Sequence, residues 1–208
     1  MRYDLYVITD EKVAGGRSHV HIANKCLKNG ANVLQLRDVG ISSLELLGVA
    51  TELHELTKGT DMRLIICDDL KVALKSGADG VHIYESKIAV DEARKQAPKG
   101  FIIGVSVGNI AEGLKAESEG ADYVIFGPMY PSNVEDLGPL HGLDDFKHFK
   151  NAMSIPVIAI GGIKLFNVAD IIKAGADGVA VKSGALHQRD IGDAVKLLAR
   201  SIGAAKGG

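Results

Sequence analysis

The chain has 208 residues, 46% apolar and 24% charged, with a formal net charge of −2. That size and balance suit one domain with a sizeable buried core, and the near-neutral charge gives no footing for nucleic acid or an anionic membrane surface. No apolar run approaches the roughly 20 residues of a membrane span, and the N-terminus enters a strand without a signal-peptide pattern, so a cytoplasmic protein handling small molecules is expected.

The elements follow in chain order. Tyr3 to Thr9 is an aliphatic, β-branched run that reads as a first strand, followed by a helix containing Cys26. Gly30-Ala31-Asn32 then stops that helix and opens a strand from Asn32 to Arg37. A helical pattern spans Ile41 to Thr57, a strand Arg63 to Cys67, and Gly77-Ala78-Asp79 leads into a strand to Ile83. Phe101 to Ser106 is the fifth strand and Asn109 to Glu119 a helix, after which Gly120-Ala121-Asp122 opens the sixth strand, to Phe126. The long loop Gly127 to Gly142 carries three prolines and suits a partly stiff lid. Pro156 to Ile160 is the seventh strand, Leu165 to Ala174 a helix, and Gly175-Ala176-Asp177 opens the eighth strand, to Lys182. Cys26 and Cys67 fall in separate elements and are not expected to pair.

The Gly-Ala-(Asp/Asn) string recurs at intervals of 47, 43 and 55 residues, about two strand–helix units each. Eight alternations at 26 residues per unit describe a compact α/β fold, a single (β/α)8 TIM barrel over residues 1–208, with 203–208 as a flexible small-residue tail. A doubly wound open sheet is the alternative; the near-regular doubling favours closure.

Chemistry in such a barrel belongs at the C-terminal ends of the strands. Gln35 and Arg37 flank Leu36, so period-2 geometry sends both into the barrel interior, where Arg37 needs an ion-pair partner such as Asp38 or Asp68, or a substrate anion. Asp68 and Asp69 suit a divalent cation, acid–base work, or simple helix capping. His82 reads as a hydrogen-bonded core or mouth histidine, since no companion His or Cys has ligand spacing. The loops Gly161-Gly162 and Lys182-Ser183-Gly184 follow strands 7 and 8, where backbone N–H groups and a helix start bind phosphate. The plainer reading of the same residues is a tight turn and a helix cap.

Taken in order, Leu5-Tyr6-Val7-Ile8-Thr9-Asp10, Gln35-Leu36-Arg37-Asp38, Leu64-Ile65-Ile66-Cys67-Asp68-Asp69, Gly77-Ala78-Asp79-Gly80-Val81-His82-Ile83, Ile103-Gly104-Val105-Ser106-Val107, Phe126-Gly127-Pro128-Met129-Tyr130-Pro131 and Ile158-Ala159-Ile160-Gly161-Gly162-Ile163 resemble the motifs of the thiamine phosphate synthase and thiazole tautomerase superfamily. The resemblance implies a transferase of thiamine biosynthesis that joins hydroxymethylpyrimidine diphosphate to thiazole phosphate, releasing pyrophosphate with the help of Mg²⁺. It implies Arg37, Asp68 and Ser106 as catalytic groups, with Tyr6, Gln35, Arg37, Gly161, Gly162 and Ser183 contacting substrate; Cys67 and Ser132, at family contact positions, and Lys182, in the strand 8 loop, complete the expected substrate-binding set. Asp68 becomes a metal ligand.

The pattern departs from the family at the diphosphate side. Val39 stands at a lysine position, Cys67 and Asp69 at an asparagine and an arginine, Lys87 at the second magnesium aspartate, and Ser132-Asn133-Val134-Glu135 at a Thr-x-Thr-Lys. The expectation is a degenerate diphosphate and Mg²⁺ site with impaired turnover, in which the Lys87 ammonium can pair with Asp68 in place of the cation. The tautomerase branch carries a loop histidine where this chain has Pro128, leaving His141 or Cys67 to move a proton. Two other readings stand: a phosphate-ligand enzyme of tautomerase type, and a non-enzymatic or redesigned barrel. The partner is a phosphorylated small molecule, and a homo-oligomer is compatible with the sequence.

Overall fold

The computed structural model describes residues 2–84, 88–132 and 139–207. The order is β1 (Leu5–Ile8), α1 (His19–Asn29), β2 (Val33–Arg37), α2 (Ser43–Thr57), β3 (Arg63–Cys67), α3 (Leu70–Ser76), β4 (Gly80–Ile83), α4 (Val90–Gln96), β5 (Ile102–Val107), α5 (Ile110–Ser118), β6 (Tyr123–Phe126), α6 (Leu143–Ala152), β7 (Val157–Ile160), α7 (Val168–Lys173), β8 (Gly178–Val181), α8 (Ser183–Leu186) and α9 (Ile191–Lys206). The eight strands are parallel and close into a barrel, β8 pairing with β1 through Leu5↔Val179 and Val7↔Val181. That pairing rules out the open sheet. Both cysteines are free and buried.

The recurring Gly-Ala-(Asp/Asn) string has one structural job at each of its four sites. Its glycine ends the helix in the left-handed region, with φ of 96, 78, 98 and 100° at Gly30, Gly77, Gly120 and Gly175. Its third side chain then accepts an N–H from the first or second residue of the preceding strand: Leu5 N to Asn32, Leu64 N to Asp79, Ile103 N to Asp122 and Val157 N to Asp177, at 2.7–3.1 Å. Each pair of strands is thereby pinned at the N-terminal face of the barrel, which leaves the opposite face open to carry the site.

Two helices differ from expectation. α7 begins at Val168 rather than Leu165, because the Asn167 side chain turns back onto the preceding loop, accepting from Lys164 N at 2.8 Å and donating to the Gly162 carbonyl at 3.1 Å. α9 takes in Gly203–Lys206, so the small-residue tail is helical up to Lys206, where the Ile202 side chain buries itself one turn earlier.

The core has two shells. Between barrel and helices lie the outward strand residues, Leu34 and Leu36 among them. Inside the barrel is a separate cluster dominated by Tyr3, Tyr6 and Tyr123 with Ile65, Ile102 and Ile158. Glycine makes room for these rings: a Cβ on Gly104 would stand 1.9 Å from Tyr123 Cζ.

Candidate active site

Gln35 and Arg37 both point into the barrel mouth, as period 2 requires, and Arg37 borders three adjoining clefts. A central cleft of about 260 Å³ is walled by Gln35, Arg37, Cys67, His82, Ser106 and Pro128. On the β2–β3 side a cleft of about 220 Å³ is walled by Arg37, Cys67, Tyr84 and the carboxylates Asp38, Asp68 and Asp69. On the β7–β8 side a smaller one of about 70 Å³ is walled by Arg37, Ser132, Gly161, Gly162, Lys182 and Ser183. The Arg37 guanidinium lies over the Tyr84 ring, 4.5 Å from its centroid, which holds the cation at the junction.

A buried polar chain forms the floor of the central cleft. Tyr6 Oη meets Tyr123 Oη at 2.9 Å, Tyr123 Oη meets His82 Nδ1 at 3.2 Å, and His82 Nε2 meets Ser106 Oγ at 2.9 Å. Burial, aided by Arg37, pushes the His82 imidazole down to about 3, and burial pushes both tyrosine hydroxyls well above their ordinary value. All of these groups are therefore neutral at pH 7. His82 is the hydrogen-bonded histidine expected, and Ser106 carries the chain to the cleft. Tyr6 sits one layer lower than a substrate contact would: it is fully buried and meets Tyr123.

The β7–β8 cleft gathers five of the expected substrate contacts from three separate loops. Gly161 and Gly162 take φ of 99° and 60°, and a Cβ on either would collide with the β6–α6 loop, 2.6 Å from Pro128 Cα and 2.5 Å from the Pro131 carbonyl. That loop is tied down by Met129 N to Ile160 O at 2.9 Å and Tyr130 N to Gly161 O at 3.1 Å. The tight-turn reading of these glycines thus holds sterically, and the same backbone leaves N–H groups at an anion-sized cleft beside the first turn of α8. Lys182 faces this cleft and pairs with Asp10 at 3.2 Å. Burial raises the Asp10 carboxyl, but the Val13 N–H and the Lys182 ammonium outweigh it and hold the group below the usual range.

The β2–β3 cleft is acidic. Asp69 caps α3 through Val72 N at 3.0 Å and accepts from Ser43 Oγ at 3.0 Å, which realises the capping reading. Asp38 accepts from Gly40 N at 2.8 Å and from His19 Nε2 at 3.2 Å, while His19 Nδ1 lies 2.9 Å from Thr9 Oγ1. Asp68 remains the candidate metal ligand of the three. Among the described residues no three His, Cys, Asp or Glu side chains converge as a protein-built metal cage. A single carboxylate at a cleft suits Mg²⁺, which keeps several waters and takes its other ligands from substrate phosphates. Val39, at the lysine position, is 84% exposed. Lys87 and residues 133–138 lie outside the described residues.

His141 packs on the Phe126 ring, with centroids 4.3 Å apart, on the outer face of β6 where Phe126 also stacks on Phe149. It faces the helix layer, so the histidine offered for tautomerase-type proton transfer is turned away from the mouth. Sequence reasoning missed Tyr123, Tyr84 and Asp10. A signal for Tyr123 was present: the residue after Gly-Ala-Asp is glycine at 80 and 178 but tyrosine at 123, a bulky residue entering the barrel opposite Gly104.

Residues 5–185 match the family model described as thiamine monophosphate synthase. The chain is 44% identical over 207 residues to the thiamine-phosphate synthase of Methanoculleus marisnigri, covering 99% of this chain and 98% of the relative. It is 45% identical over 199 residues to that of Methanocella arvoryzae, covering 95% and 94%. The solved structure of a thiamine phosphate pyrophosphorylase from Pyrococcus furiosus superposes with a TM-score of 0.89 at 32% identity, covering 98% of this chain and 96% of that one.

Proposed function

The chain belongs to the thiamine monophosphate synthase family, and from that premise we propose that it joins hydroxymethylpyrimidine diphosphate to thiazole phosphate in the mouth of the barrel. The bond between the pyrimidine methylene carbon and the diphosphate oxygen breaks, pyrophosphate leaves with the electron pair, and the thiazole nitrogen lone pair forms the new C–N bond. The observation that carries the reading is the position of Arg37 at the junction of all three clefts.

The central cleft takes the pyrimidine, with Gln35 and Ser106 supplying polar contacts and Ile8, Ile125 and Ile160 apolar wall. The β7–β8 cleft takes the thiazole phosphate through backbone N–H groups of the Gly162 and Ser183 loops and the Lys182 ammonium. The diphosphate extends toward Asp68, so Arg37 stands between the leaving group and the incoming phosphate and stabilises the charge that develops as the C–O bond breaks. Asp68 is the residue that would hold Mg²⁺, which when bound neutralises part of the leaving diphosphate.

A second reading rests on the charge of the β2–β3 cleft. Arg37 is the described cation on its wall against three carboxylates, and Val39 is exposed at the lysine position. On this reading the chain binds a phosphorylated ligand at β7–β8 and handles the diphosphate poorly. Calorimetric titration with hydroxymethylpyrimidine diphosphate plus Mg²⁺, then thiazole phosphate, with thiamine phosphate assayed in the same samples, separates the two. Binding of both with turnover supports the synthase; thiazole phosphate binding alone supports the second reading, and binding of neither rejects both.

A further inference from the structure

The buried chain Tyr6–Tyr123–His82–Ser106 has two directions in which its hydrogens can run, and they are not equivalent. If Ser106 donates to His82 Nε2, then Nδ1–H donates to Tyr123, Tyr123 donates to Tyr6, and the Tyr6 O–H is left buried with no acceptor among the described residues. If instead Tyr6 donates to Tyr123, Tyr123 donates to His82 Nδ1 and His82 Nε2–H donates to Ser106 Oγ, every buried donor in the chain is used. Only the Tyr6 oxygen then lacks a donor, and an unused lone pair is far cheaper than a buried unused O–H.

We infer that the chain runs outward, from Tyr6 to Ser106, so that Ser106 is fixed as a hydrogen-bond donor toward the central cleft. Tyr6, Tyr123 and His82 are positioning residues that act through Ser106, and none needs to touch the ligand. The ligand group matched to Ser106 is then an acceptor, either a ring nitrogen of the pyrimidine or a diphosphate oxygen; a group that can only donate meets the remaining Ser106 lone pair and leaves the Ser106 hydrogen without a partner in the cleft. The neutrality of all four groups keeps the chain in this form, since a protonated imidazole would force Tyr123 to turn its hydrogen back toward Tyr6. This assignment of ligand chemistry rests on the synthase reading; the direction of the chain does not.

The test is the tautomer of His82. Long-range ¹H–¹⁵N correlation spectra of the labelled wild-type protein, with the His82 signal identified by its loss in His82→Gln, should show the Nε2–H form in roughly tenfold or greater excess. Tyr6→Phe should leave that tautomer in place, because Tyr123 still donates to Nδ1. An Nδ1–H form, an even mixture or an imidazolium overturns the direction, as does a switch of tautomer in Tyr6→Phe. Calorimetry with hydroxymethylpyrimidine diphosphate should show about tenfold weaker binding for Ser106→Ala with rescue by Ser106→Thr; equal binding by the alanine variant overturns the donor role. The Nε2–H tautomer in a protein that makes no thiamine phosphate would support the direction and reject the synthase reading. Full turnover with the Nδ1–H tautomer would do the reverse.

Discussion

Gly104→Ala puts one methyl group into the most crowded point of the barrel interior. The added Cβ would lie 1.9 Å from Tyr123 Cζ, 2.4 Å from its Cε2 and 2.3 Å from its Oη. Carbon atoms in contact sit about 3.5–4.0 Å apart, so the tyrosine ring, which is fully buried, must move by well over an ångström. Overpacking of this kind costs about 1–3 kcal/mol. Moving the ring also breaks the Tyr6 and His82 contacts of Tyr123, each worth about 0.5–1.5 kcal/mol. The sum is about 2–6 kcal/mol, which for a chain of this length lowers Tm by about 4–24 °C. Differential scanning calorimetry of Gly104→Ala, Tyr123→Leu and the double variant measures it. Tyr123→Leu removes the atoms that the new methyl group meets, so the double variant should be more stable than the two single effects predict by addition. A Gly104→Ala protein that melts within about 2 °C of wild type, or strict additivity in the double variant, would refute the packing argument.

Lys182→Ala should weaken thiazole phosphate binding by about 10- to 100-fold while leaving pyrimidine diphosphate binding nearly unchanged, read by calorimetry, because the charge-assisted contact is confined to the β7–β8 cleft. The same substitution changes the acid limb of stability. Asp10 is held below the ordinary value, so its contribution is present above the unfolded pKa of about 4 and is lost as pH falls through the lowered folded value. Removing Lys182 should therefore flatten the fall of the urea-derived unfolding free energy between about pH 5 and 2, by no more than about 0.5–1 kcal/mol for a pair this accessible to solvent. Arg37→Lys keeps the charge but loses the planar fork and the face of Tyr84, so affinity for both substrates should drop by about tenfold or more; loss of one alone would contradict a shared junction. Gly162→Ala, whose Cβ would stand 2.5 Å from the Pro131 carbonyl at φ 60°, should displace the β6–α6 loop and abolish detectable thiazole phosphate binding with the circular dichroism spectrum retained.

Much of the site is legible along the chain because it depends on local periodicity. Gln35 and Arg37 share a face with Leu36 reversed, and Gly162 and Ser183 follow strands 7 and 8, so their placement needs only the strand and its number. Tyr6 was the exception among these: its motif position suggests the mouth, but β1 pairs so that Tyr6 stands opposite Val33 and Ala180, a layer below Gln35. Asp69 is a case where two local meanings competed, and the cap was realised because Val72 N lies within reach of its carboxylate.

Sequence by itself determined the eightfold alternation and the residue types on the barrel rim, because helix stops and strand faces are set by neighbours a few positions away; closure was decided by the β8–β1 pairing. The sequence also carried the family, through motifs in register over nearly the whole chain. Only the tertiary structure decided that Tyr123 from β6 fills the hollow over Gly104, that Lys182 meets Asp10, and that Arg37 stands where three clefts join. Those pairings cross between strands whose relative height is set by the stagger of the closed barrel, and that stagger is a property of all eight strands together.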